Sequence, residues 1–80
     1  MDYTETRKLE WRCRRGMKEL DILLTRYVRE RLPSAEAAER TTFTEFLELP
    51  DPDIAGYLLA GVEPSEPRLA ALCRSILAQP

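Results

Sequence analysis

The sequence contains no histidine, and its 80 residues include only two cysteines and three glycines. Without histidine the commonest general base is missing. No Cys–His pair and no Gly-x-Ser-x-Gly elbow is present, so nucleophilic catalysis has no support. Cys13 and Cys73 lie far apart with no Cys-x-x-Cys spacing, which argues against a zinc site. They read as buried thiols in a reducing compartment, and a Cys13–Cys73 disulfide stays open. Gly16, Gly56 and Gly61 are isolated, so there is no glycine-rich phosphate cradle and no dinucleotide fingerprint. No run approaches the ~18 apolar residues that a membrane span requires. No stretch alternates as a strand would. A small enzyme is therefore the least expected class, and no catalytic, metal or cofactor-binding residues are assigned.

What is present is a chain suited to one small helical domain over residues 1–80. A core of this size rarely supplies more than ~3–5 kcal/mol unless its packing is regular. The start is acidic and polar and resembles neither a secretory nor a transit segment, which leads to the expectation of a bacterial cytoplasmic protein. Net charge is −2, distributed as +3 over residues 1–31 and −5 over residues 32–80. Such a dipolar chain suits oriented docking on another protein, not tracking along a phosphate backbone.

Five helical segments follow from the periodicity, giving an all-α fold, a compact bundle with antiparallel neighbours. The first spans about residues 4–15, with Thr4 as its cap and a stripe of Leu9, Cys13 and Met17. The second spans about residues 18–31, with Leu20, Leu23, Leu24, Tyr27 and Val28 facing inward and Leu32-Pro33 ending it. Ser34 is the expected cap of the third, which extends to about residue 48; a restart at Thr42 with Glu45 closing a capping box is an alternative. Asp51 is the expected cap of the fourth, with Pro52 and Asp53 behind it and Gly61 as its stop. The fifth follows Pro67, with Leu69, Leu72, Cys73, Ile76 and Leu77 on one face, before a tail at residues 78–80 that should fray. Glu39 and Glu48 read as solvated.

The candidate working surface is the corner between the first two segments. Gly16 can adopt the left-handed conformation that ends a helix. Arg15 and Glu19 flank it, so a cation, bare backbone and a carboxylate lie close together. Trp11 falls about 200° from Leu9 on an ideal helical wheel, among Arg7, Lys8, Arg14 and Arg15. Arg and Trp are over-represented among interface hot spots. The residues alone leave Trp11 equally compatible with an interface anchor and with a core position edged by snorkelling cations. The candidate partner-binding set is Trp11, Arg14, Arg15, Gly16, Met17 and Glu19. Rival readings are a toxin-neutralising or other regulatory adaptor, and a nucleic-acid binder using the basic first helix; the acidic pI opposes the latter.

Trp11-x-Cys13-Arg14-Arg15-Gly16-Met17-x-Glu19-Leu20-Asp21 closely resembles the succinate dehydrogenase FAD assembly factor family, whose signature is Arg-Gly-x-x-Glu. A second match is Phe43-x-x-Phe46-Leu47-Glu48-x-x-Asp51-Pro52-Asp53-Ile54-x-x-Tyr57-Leu58, with Tyr57 where the family leads one to expect tryptophan. The resemblance implies a five-helix protein that binds the flavoprotein subunit of succinate dehydrogenase, and often that of fumarate reductase. It implies promotion of covalent FAD attachment to a histidine of that subunit, with the Arg-Gly-x-x-Glu surface as docking site. In that role Arg15 would give bidentate hydrogen bonds to the partner. No FAD would be held tightly by this chain, no nucleic acid or membrane would be a partner, and the free protein would be a monomer.

Overall fold

The stripe of Leu20, Leu24, Tyr27 and Val28 becomes the spine of the molecule, all four side chains being fully buried. The computed structural model describes residues 3–78. Among them lie α1 (Tyr3–Arg12), α2 (Lys18–Glu30), α3 (Ala37–Phe46), α4 (Asp51–Leu58) and α5 (Pro67–Leu77), with a short 3-10 turn at Leu32–Ser34. The helix α2 carries the stripe and packs against α1, α4, α5 and the 3-10 turn, while α3 lies on α5. The radius of gyration is 11.6 Å. That matches the roughly 12 Å expected of a close-packed chain of this length, so no helix projects as an arm. No helix among the described residues is long and apolar enough to cross a membrane.

One cluster forms the core. Leu9 and Cys13 close it beside α1, Phe43, Phe46 and Leu47 enter from α3, Ile54 and Leu58 from α4, and Leu72, Cys73 and Ile76 from α5. The Tyr27 and Phe43 rings are tilted with centroids 4.8 Å apart, a favoured aromatic geometry. The Tyr27 hydroxyl donates to the Glu39 carboxylate, so a buried phenol finds the partner it needs. Glu39 is thus half-buried and bonded, where the sequence suggests a solvated side chain. Cys13 and Cys73 are both buried and free, which answers the open disulfide.

The element ends differ from the sequence reading for local reasons. Thr4 lies inside α1 and does not cap it, and α1 ends at Arg12, short of Arg15. Ser34 does not cap α3. Pro33 sits in the first turn of the 3-10 element, the Ser34 N–H donates to the Arg31 carbonyl, and α3 starts at Ala37 after Glu36. There is no restart at Thr42. The Thr42 and Thr44 hydroxyls bond back to the carbonyls of Ala38 and Arg40, both at 3.0 Å, and the helix runs on through the β-branched pair. Asp51 makes no capping bond, and Pro50 takes the cap position of α4. Leu77, expected on the inner face of α5, is 47% exposed. Of the tail expected to fray, Gln79 and Pro80 lie outside the described residues, as does the acidic start at Met1 and Asp2.

Candidate functional site

The chain leaves α1 through Cys13, whose N–H still reaches back to Leu9 and Glu10, each at 3.1 Å. Two residues later the helical ladder is replaced. The Arg15 N–H donates to Asp21 Oδ1 at 2.7 Å, while the Asp21 N–H donates to the Met17 carbonyl at 2.9 Å. Asp21, in the first turn of α2, thereby grips both sides of the bend. Gly16 sits between them with φ +80°, a conformation that side-chain-bearing residues rarely adopt. Met17 is extended and α2 begins at Lys18.

The bend presents a bare spot. A Cβ placed on Gly16 would meet no atom within 4 Å. Around it Arg14, Met17 and Glu19 are exposed, and Trp11 is 71% exposed on the last turn of α1. The guanidinium carbon of Arg14 lies 5.2 Å from the Trp11 ring centroid, within cation–π range. The ambiguity over Trp11 is resolved on the side of the surface. Below the bend, Cys13 is fully buried. Its thiol is pushed up from an ordinary 9.0 to about 12, chiefly by burial and against the nearby positive charge of Arg15. It acts as packing, not as a nucleophile.

Arg15 turns inward from the bend. Its side chain is only 16% exposed. Its Nε donates to Asp51 Oδ1 at 2.8 Å, one terminal nitrogen donates to the Leu47 carbonyl at 2.7 Å, and the other to the Leu49 carbonyl at 3.0 Å. A longer bond of 3.2 Å runs to the Arg12 carbonyl, one of the orphan acceptors at the end of α1. The guanidinium is therefore engaged within the molecule. The sequence reading missed its three counterparts. Asp51 was assigned to capping α4, and carbonyls carry no side-chain signature. Glu19 is exposed, and no hydrogen bond or ion pair joins it to Arg15.

Among the described residues no group of three His, Cys, Asp or Glu side chains is placed to hold a metal. The shallow grooves beside the bend are open. Arg14 and Arg29 border both of those along α1 and α2, one with Thr4, Arg7 and Trp11, the other with Ile22 and Thr25.

A family model described as the flavinator of succinate dehydrogenase matches residues 7–80. A relative from Pseudomonas aeruginosa named FAD assembly factor SdhE is 40% identical over 76 residues, 95% of this chain and 90% of that protein. Proteins of the same name from Coxiella burnetii and Methylococcus capsulatus are 39% and 41% identical over 71 residues. They cover 89% of this chain, and 87% and 86% of their own lengths. No solved structure matches the chain.

Proposed function

Since the chain belongs to the succinate dehydrogenase flavinator family, we propose that it is an assembly factor for the flavoprotein subunit of succinate dehydrogenase. In this reading it binds that subunit and promotes the covalent attachment of FAD, working in the bacterial cytoplasm as a monomer. The flavoprotein of fumarate reductase is a second client. The chain has no histidine, so the residue that takes the flavin belongs to the client.

One observation carries the docking reading: the positive-φ glycine exposes backbone to open space beside Trp11, Arg14, Met17 and Glu19. A bare backbone patch lets two surfaces approach more closely than any side chain permits. Trp11 and Met17 supply apolar contact area, and Glu19 accepts hydrogen bonds from client donors. The protein then acts as a binder, not as a catalyst. It favours the client arrangement in which histidine and flavin are poised, and it does so only by holding that arrangement more tightly than the alternatives.

The test is in-gel flavin fluorescence of the succinate dehydrogenase flavoprotein after denaturing electrophoresis, from cells with and without this chain. The fluorescent band should fade in its absence and return on complementation. An equally bright band without the chain would refute the assignment.

A further inference from the structure

The Arg15 side chain joins two stretches that are distant in sequence, and its chemistry makes the join directional. A guanidinium is a flat fork with five N–H donors. Here its Nε meets the Asp51 carboxylate at 2.8 Å, and its two terminal nitrogens meet the carbonyls of Leu47 and Leu49 at 2.7 and 3.0 Å. All three acceptors belong to the connection between α3 and α4 or to the first residue of α4. That connection is itself fixed from inside, because Leu47 is 2% exposed and Ile54 is fully buried. The next residue, Gly16, turns the chain at a φ of +80°. It has no Cβ, and no neighbouring atom would touch one. No side chain packs over that face of Gly16. The bonds that fix the bend lie on its flank: Asp21 holds the Arg15 backbone, and Asp51 holds the Arg15 side chain.

We propose that Asp51 is a positioning residue for client docking, acting through Arg15 to hold the Gly16 corner in the shape that the client binds. The inference rests on the docking role proposed for that corner. It reassigns the arginine of the Arg-Gly-x-x-Glu signature: Arg15 shapes the surface from behind, and the exposed neighbours make the contacts. Asp51 suits the task because its side chain is 39% exposed. It is buried enough to face the guanidinium and open enough that losing it leaves no stranded group in the core.

The experiment compares wild type, Asp51→Asn, Arg15→Lys and a core control, Ile76→Val, in two measurements. Amide hydrogen exchange on the free protein reads the corner. Calorimetric titration with purified succinate dehydrogenase flavoprotein reads docking. In Asp51→Asn and Arg15→Lys, exchange at residues 14–17 should quicken while that of α2 and α5 holds. Client affinity should fall about tenfold, as expected if the competent corner is populated only about one-tenth of the time. Ile76→Val lowers the melting temperature without touching the corner and should bind as wild type does. If that variant loses affinity in step with Asp51→Asn, global stability is the cause and the inference fails. If exchange quickens in Asp51→Asn while affinity is unchanged, or if exchange does not change, the inference also fails, with the docking role of the protein left standing. A wild type that binds no flavoprotein overturns the parent reading, and this inference with it.

Discussion

At Gly16 two demands coincide, one from the backbone and one from the surface. The backbone demand is its φ of +80°, which costs a side-chain-bearing residue about 1–2 kcal/mol. The surface demand is access, since nothing stands within 4 Å of a would-be Cβ. Two substitutions separate them. Gly16→Ala should lose about 1 kcal/mol and several degrees of melting temperature, yet keep most client affinity, because one methyl finds open space. Gly16→Arg should show a similar thermal loss and abolish binding, because its side chain would occupy the proposed docking spot. Thermal denaturation followed by circular dichroism, paired with titration of the flavoprotein, measures both. Equal binding by the two variants would return the glycine to a purely conformational role. The position was legible in the sequence because an isolated glycine between two apolar stripes has few other uses. The engagement of Arg15 was not, because its acceptors are two carbonyls and a carboxylate that the sequence offers equally well as a helix cap.

Among the elements, α1 divides its faces most cleanly. Leu9 is its one buried residue, and Trp11 stands 71% exposed on the other side. An ion pair from Glu10 to Arg29 of α2, 3.0 Å long, adds a polar tie that solvent screens. Leu9→Ala should therefore destabilise the protein by about 2 kcal/mol, and α1 amides should exchange first. Trp11→Ala should change stability by less than about 0.5 kcal/mol while weakening client binding by tenfold or more. Chemical denaturation and titration of both variants check the division; a Trp11→Ala protein that unfolds readily would place the tryptophan in the scaffold. The helices α2 and α5 were readable over nearly their full length, because each repeats apolar residues over two turns or more. The boundaries of α1, α3 and α4 were less so. Helix ends are decided by competition for orphan backbone groups, and that competition is tertiary. Pro33 claims Ser34 for a 3-10 turn, and Arg15 claims the carboxylate of Asp51.

Taken as a whole, the core has an alkaline weak side. Cys13 is raised from 9.0 to about 12, mainly by burial. Cys73 is raised by burial against the opposing charge of Arg74. Tyr27 is raised by burial and then by its bond to Glu39. Each group holds its proton more tightly when folded than when unfolded. The stability that this difference contributes is complete below about pH 9 and is lost as pH rises toward 12. Urea denaturation at about pH 8 and about pH 10.5 should show a clear fall, with a smaller fall in Cys13→Ala. The same slope in both proteins would acquit the Cys13 thiol. The all-α architecture and the division of charge along the chain were both plain from the sequence. The burial of a phenol against a carboxylate was not, since nothing local pairs Tyr27 with Glu39.

The tie from Arg15 to Asp51 spans 36 positions of chain. A ribosome makes the bend early and its anchor much later. Until the second half has been synthesised and folded back, the Arg15 guanidinium lacks the acceptors on residues 47, 49 and 51. A half-made chain would thus hold its bend by the Asp21 bond alone, with an arginine left in solvent that the finished chain turns inward.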